Sequence, residues 1–150
     1  MSISAGVVKN LRDKTGISMM VCKKALEEAG GDETKAMGIL KEKGLEVAEK
    51  KSSRGTKAGT IESYIHGTGQ IGVLVELKSE TDFVAKNPLF KEVAHDIAMH
   101  IAASDPENVE MLLEQPFVKK MDITISNYLN EIIQKFGENI EIARFERFSL

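Results

Sequence analysis

The fold is decided by residues 60–77, TIESYIHGTGQIGVLVEL, because the periodicity of the apolar residues changes here from helical to alternating. In the first half, Ile61, Ser63 and Ile65 alternate with polar residues. In the second half, four apolar residues face one way: Ile71, Val73, Val75 and Leu77. The segment HGTGQ between the halves has the glycines of a hairpin loop. We therefore predict two antiparallel strands at the start of a sheet.

Residues 4–53, upstream of this hairpin, have apolar residues at helical spacing, which predicts three short helices. The predicted turn signals are Gly16, an N-cap at Ser18, Gly30-Gly31, an N-cap at Asp32, and Gly44 as the end of the third helix. The basic segment 50–59, rich in Ser and Gly, is interpreted as a linker or a fraying helix end.

Downstream of the hairpin, Pro88 begins a predicted helix whose apolar stripe should pack on the two strands, and Asp105-Pro106 ends it. A further helix is predicted over 124–136, and 140–148 is predicted to be a third strand. The parity of this strand slips between Ile142 and Phe145, which indicates a bulge. The type of segment 116–118 is left open.

These patterns predict an α+β protein with two domains. Residues 1–54 form a three-helix N-terminal module, and residues 55–150 form a core in which helices pack on a small antiparallel sheet.

The composition points to a protein partner. The net charge of the 150 residues is −3 and both signs are interspersed, so no global field favours nucleic acid or an anionic membrane. The start of the chain has too short an apolar run for a signal peptide, and no stretch is long enough to span a bilayer. The single cysteine, Cys22, lies on an apolar helix face and is predicted to be buried. We expect a cytoplasmic protein.

Catalytic chemistry would have to use Cys22, His66, Asp82, His95 or His100. No nucleophile-elbow sequence is present, and His95 and His100 point about 140° apart on a helix, which is unsuitable for a shared metal. The chain has no GxxxxGK[ST] motif, and the glycines at 67–69 do not lead into a helix. We expect no enzyme activity and no metal, nucleotide or other cofactor.

The segment Thr81-Asp82-Phe83-Val84-Ala85 is unusual because it places a charged and a large aromatic residue together between a strand and a helix. In one interpretation Thr81 or Asp82 is a helix cap and Phe83 belongs to the core, which sequence physics alone favours. In the other, Asp82-Phe83 is a probe that enters another protein.

Several runs, taken in order, resemble the elongation factor Ts family and cover nearly the whole chain. Leu11-Arg12, Thr15-Gly16, Met19-Met20 and 22–26 (CKKAL) are similar to its N-terminal, ubiquitin-associated-like three-helix fold. The other matches are 64–66 (YIH), 72–76 (GVLVE), 80–87 (ETDFVAKN), 98–103 (AMHIAA), 115–118 (QPFV), 137–140 (GENI) and 144–148 (RFERF).

The resemblance implies a guanine nucleotide exchange factor that binds elongation factor Tu in its GDP form, through the GTPase domain and the distal domain. It implies that Asp82-Phe83, with Thr81 and Val84, enters the partner near its Mg²⁺ and loosens the ion, so that GDP leaves. It also implies that His100 disturbs the partner's phosphate-binding loop from another side. Since His100 lies one step off an apolar stripe, a purely local hydrogen-bonding role stays open.

For the N-terminal module, the resemblance implies that the partner is contacted by Leu11, Arg12, Met19 and Met20. Local core packing of these residues is the alternative. Met20 beside a glycine turn is a reasonable exposed contact, since methionine suits adaptable surfaces.

The chain departs from the family pattern between the Ala-Met-His and Gln-Pro-Phe-Val runs. Members of the family carry a long helical arm there, whereas only Ser104 to Glu114 fills the interval here. The core is also a short, single-copy version, whose sheet edge a second copy would cover. We therefore expect a homodimer and a complex of two Ts with two Tu. An alternative function is a ubiquitin-associated-like adaptor that binds a partner without exchanging its nucleotide.

Overall fold

The structure is a computed structural model and describes residues 2–150. These residues form seven helices and five strands. The elements are α1 (Ala5–Thr15), α2 (Met19–Glu28), α3 (Glu33–Lys51), β1 (Ala58–His66), β2 (Ile71–Ser79), α4 (Asp82–Ala85), α5 (Pro88–Ser104), α6 (Val109–Glu114), β3 (Pro116–Phe117), β4 (Lys120–Thr124), α7 (Ile125–Phe136) and β5 (Ile140–Ser149).

The chain divides into two compact units. The helical unit contains the residues up to Lys51 together with Asn130–Gly137, and the mixed unit contains Ser52–Leu129 and Glu138–Leu150. A bilayer-spanning helix needs about 20 apolar residues, and none of the helices within residues 2–150 has that length and apolarity.

The N-terminal helices of the helical unit begin at capping side chains. Ser18 and Asp32 cap α2 and α3 as predicted, by accepting backbone N–H groups of the first turn. Gly16 ends α1 in the left-handed conformation, with φ of +70°. The helices enclose an apolar core that includes Cys22, whose predicted burial is confirmed: Val8, Leu11, Ile17, Cys22, Ala25, Leu26, Ala36 and Leu40.

The prediction that Gly44 ends the third helix is wrong, because α3 continues to Lys51. A glycine inside a helix costs about 1 kcal/mol relative to alanine, so a packing reason is expected. Gly44 is buried, and a Cβ atom there would lie 2.9 Å from Oε1 of Gln134 in the second half of α7. The glycine therefore leaves room for the end of the Gln134 side chain and does not act as a stop signal.

The mixed unit is built on an antiparallel sheet with strand order β1-β2-β5. The apolar stripe of β2 is buried at Val73, Val75 and Leu77, and α5 packs against β1 and β2 as predicted. Buried residues from α5 complete this core: Phe90, Val93, Ala94, Ile97, Ala98 and Ile101. The predicted α+β class, with helices packed on a small antiparallel sheet, is confirmed.

The bulge predicted in the last strand is present in β5. Glu76 of β2 pairs with Arg144 and the next residue, Leu77, pairs with Ile142, so Ala143 is the extra residue. The bulge keeps Ile142 on the buried side.

The interval that the sequence indicates is too short for the family's arm contains only a short helix, α6, between Ser104 and Pro116. Segment 116–118, whose secondary structure the sequence did not predict, begins a second, two-stranded sheet in which β3 pairs with β4. Phe117 of this hairpin is buried and stacks on Tyr128 of α7, with ring centroids 4.4 Å apart.

Replacing Leu26 by alanine should lower the free energy of unfolding by about 2–5 kcal/mol, because a fully buried leucine leaves a cavity. Leu45→Ala is the matched control, since Leu45 lies in the same unit but is 41% exposed, and its loss should stay below about 1 kcal/mol. Urea denaturation followed by circular dichroism measures both. Equal losses would contradict the described core.

Candidate functional site

The turn between β2 and α5 carries the residues singled out as a protein probe. Thr81 has an extended backbone and caps α4, with its Oγ1 accepting the Val84 N–H at 3.3 Å. This confirms Thr81 as the helix cap. Val84 and Ala85 point inward and are buried, so the turn is attached to the core on that side.

Phe83 projects from this turn with 85% of its surface exposed. The interpretation that placed Phe83 in the core is therefore wrong, and neighbouring Asp82 is exposed as well. Successive side chains of a helix are offset by about 100° around its axis. Because Val84 and Ala85 face the core, the two preceding side chains, Asp82 and Phe83, face outward. Full burial of a phenylalanine side chain stabilises a protein by about 1.5–3 kcal/mol. The free protein lacks this stabilisation at Phe83.

A second segment, which follows α7, holds the start of the turn. The Glu138 carboxylate accepts the Thr81 N–H at 3.1 Å with one oxygen and the Thr81 hydroxyl at 2.7 Å with the other. The N–H of Asn139 donates to Glu80 at 2.8 Å, and its side-chain amide donates to the carbonyl oxygen of Arg54 at 2.9 Å. Sequence reasoning gave Glu138 and Asn139 no role, because these partners are separated by 57 to 85 residues.

His100 is fully buried in α5. Its Nδ1 accepts the Val118 N–H at 3.2 Å, so the ring proton is on Nε2, which donates to Oε1 of Gln115 at 2.9 Å. Burial lowers the pKa of the imidazole below its ordinary value of 6.5, and the hydrogen bond to Gln115 counteracts this only in part. The geometry favours the local role, in which a neutral His100 connects α5 to the residues that flank β3, Gln115 and Val118.

The four candidate contacts of the N-terminal module have different environments. Leu11 is fully buried in the helical core, and Arg12 forms an ion pair with Asp13 at 3.0 Å. Met19 and Met20 are 39% and 69% exposed at the start of α2. The two methionines are therefore accessible to a partner, whereas Leu11 contributes packing.

The remaining groups that could carry chemistry are not assembled into a reactive site. Cys22 is buried, with its sulfur near the Ile17 carbonyl and the Thr15 hydroxyl. His66 receives a hydrogen bond from, or donates one to, the Tyr64 hydroxyl at 3.0 Å. Across residues 2–150, no three His, Cys, Asp or Glu side chains come together as metal ligands would.

The outer sheet face, which is the side of the sheet opposite α5, is partly apolar and uncovered within the described residues. Its exposed apolar residues are Ile61, Ile65, Leu74 and Phe148, each exposed by half or more. A groove of about 250 Å³ runs along it, beside an ion pair between Glu76 and Arg144 at 2.6 Å. An apolar patch rimmed by charge is typical of a protein interface.

Comparison with known proteins gives one consistent family. A family model described as elongation factor Ts matches residues 80–150. An elongation factor Ts of Alkaliphilus metalliredigens is 45% identical over 195 aligned positions, which cover 100% of this chain and 90% of the relative. That of Carboxydothermus hydrogenoformans is 45% identical, with 99% and 89% covered, and that of Solidesulfovibrio magneticus is 42% identical, with 99% and 97% covered.

These alignments are longer than the chain itself. The first has 195 positions and the chain has 150 residues, so the difference, at least 45 positions, is occupied by the relative alone. The relative therefore has at least 45 residues within the aligned region that have no counterpart in this chain.

The lowered pKa of His100 predicts a pH-dependent stability. As the pH falls through about 6.5, the unfolded chain takes up this proton before the folded state does, so the contribution is retained above that pH and stability falls below it. His100→Gln should flatten the decline in melting temperature between about pH 7.5 and pH 5.5. His95→Gln, an exposed histidine of the same helix, should keep the wild-type slope. Identical slopes for wild type and His100→Gln would refute the assignment.

Proposed function

This chain belongs to the elongation factor Ts family, and from that premise we propose that it is the guanine nucleotide exchange factor of elongation factor Tu. In this proposal it binds Tu with GDP, displaces the partner's Mg²⁺ and promotes GDP release during translation elongation. The observation that carries the proposal is the 85% exposure of Phe83 on a capped, tethered turn.

The turn has the chemistry that such an insertion needs. Phe83 is a large apolar anchor that gains its burial only when a partner covers it, and such anchors contribute about 2–4 kcal/mol at interfaces. Asp82 beside it brings a carboxylate into the neighbourhood of the metal and its ligands. Mg²⁺ is the largest local charge of a nucleotide site, so disturbing its coordination weakens the hold on the phosphates.

Thermodynamic linkage sets the size of the effect. A factor that binds the nucleotide-free partner more tightly than the GDP-bound partner weakens GDP binding by the same ratio. Each tenfold weakening requires about 1.4 kcal/mol of differential contact. An inserted phenylalanine therefore promotes exchange only by the part of its contact energy that is absent from the GDP-bound complex.

The proposal also assigns roles to the two domains and to the other predicted contact residues. Residues 1–54 form the module that binds the GTPase domain, with Met19 and Met20 as its exposed contacts, and residues 55–150 carry the turn and reach the distal domain. His100 acts indirectly, by holding Gln115 and Val118 on either side of β3, because its ring is buried.

We also propose that two copies of the chain associate through the outer sheet face, giving a complex of two Ts with two Tu. The four exposed apolar residues of this face would then be covered: Ile61, Ile65, Leu74 and Phe148. A two-fold axis would bring each patch against its own copy, as in most homodimers.

The exchange proposal predicts that Phe83→Ala slows GDP release by roughly 30-fold or more relative to wild type, from the lost anchor energy. Asp82→Ala should slow it as well. Stopped-flow release of a fluorescent GDP analogue from elongation factor Tu, with Mg²⁺ present, measures the rates. Lys86→Ala, an exposed residue at the end of the same turn, is the control and should leave release nearly unchanged. Binding of the wild type without faster release would support the adaptor function instead.

The dimer proposal predicts that Leu74→Glu converts the protein to a monomer, because it places a charge in the centre of the outer sheet face. Sedimentation or solution scattering measures the mass against the 16.5 kDa of a single chain. Leu45→Glu is the matched control, since Leu45 is also exposed but lies on α3, and it should leave the dimer intact. A wild-type species of 16.5 kDa would exclude the dimer.

A further inference from the structure

We propose that Glu138 is a positioning residue that holds the turn Thr81–Val84 in the conformation that projects Phe83. This inference rests on the proposed exchange function for its effect on GDP release, but not for its structural content.

The contact between Glu138 and Thr81 is bidentate and charge-assisted. One carboxylate oxygen accepts the Thr81 N–H at 3.1 Å and the other accepts the Thr81 hydroxyl at 2.7 Å. The same hydroxyl oxygen accepts the Val84 N–H at 3.3 Å. Glu138 therefore fixes the rotamer of the residue that caps α4, and through the cap it fixes the first turn of that helix.

Asn139 attaches the same segment to the residues before the turn. Its backbone N–H donates to Glu80, which also lies 3.6 Å from the Arg54 guanidinium, and its buried amide donates to the Arg54 carbonyl. The residue after Glu138 is therefore fixed by these hydrogen bonds, and this restricts the movement of Glu138 itself. The anchored residues 138–139 thus provide a fixed reference for the turn.

The turn needs such support because α4 has only four residues. A single helical turn does not repay its own nucleation cost, so its conformation depends on tertiary contacts. Val84 and Ala85 hold one side of it in the core, and Glu138 holds its N-terminal end. Without Glu138, Phe83 would sample several directions, and only a fraction of molecules would be ready to insert.

The functional test measures GDP release from elongation factor Tu with Glu138→Ala and Glu138→Gln, alone and combined with Phe83→Ala. Glu138→Ala should raise the factor concentration needed for half-maximal release by about tenfold, with a smaller change in the release rate at saturating factor. Glu138→Gln, which keeps one acceptor for the Thr81 N–H, should fall between Glu138→Ala and wild type. Glu131→Ala, an exposed glutamate of α7, is the control and should behave as wild type.

The double variant distinguishes positioning from an independent contact. If Glu138 acts only through the turn, Glu138→Ala has no further effect once Phe83 is alanine. Fully additive losses would overturn the proposal, because Glu138 would then contact the partner itself. If Phe83→Ala had no effect on release, the proposed exchange function would be contradicted. The positioning role of Glu138 would then be decided by a second measurement, which needs no partner.

The second measurement needs no partner. The chain has no tryptophan, so Phe83→Trp introduces a single indole reporter on the turn. Adding Glu138→Ala should increase the amplitude of the fast component in its time-resolved fluorescence anisotropy, while adding Glu131→Ala should not. An unchanged decay after Glu138→Ala would refute the positioning role. Circular dichroism melting confirms that each variant is folded.

Discussion

β2 lies between β1 and β5 and presses Val73, Val75 and Leu77 against α5, and the other features of the mixed unit are arranged around this contact. Each of these side chains contributes about 1.5–3 kcal/mol on burial. The strand is also hydrogen-bonded on both edges, so its end at Ser79 is fixed in space. The turn that carries Phe83 begins two residues later and inherits that position.

An exposed aromatic residue is useful for binding only if its direction is defined. Two independent attachments define it here: apolar burial of Val84 and Ala85 below the turn, and the Glu138 carboxylate at its start. The conformational entropy of the turn is thus lost during folding and not during association. Less of the contact energy is then offset when the partner binds.

The two faces of the sheet have different tasks. The inner face builds the core with α5, while the outer face exposes Ile61, Ile65, Leu74 and Phe148. A small core cannot cover both faces of a three-stranded sheet, so the outer face stays exposed in the single chain. In the dimer that we propose, a second copy would cover this face.

The local elements could be predicted from the sequence because each has a local cause. The alternation in 60–77 indicates the hairpin, Ser18 and Asp32 indicate caps, and the parity slip after Ile142 indicates the bulge. The type of segment 116–118 stayed open and β4 was not predicted, because both strands are too short for a periodicity to show. The family resemblance pointed to the segment with Phe83, but residue-level physics alone favoured its burial.

What the sequence by itself determined are the elements, the α+β class and the family. Only the tertiary structure decided that α3 continues past Gly44, that His100 is buried while Phe83 is exposed, and that Glu138 binds Thr81, 57 residues away. The physical reason is that periodicity records which face of an element is apolar, whereas burial depends on which other element covers that face. Hydrogen bonds between residues distant in the chain leave no local pattern, so their partners become known only when the chain has folded.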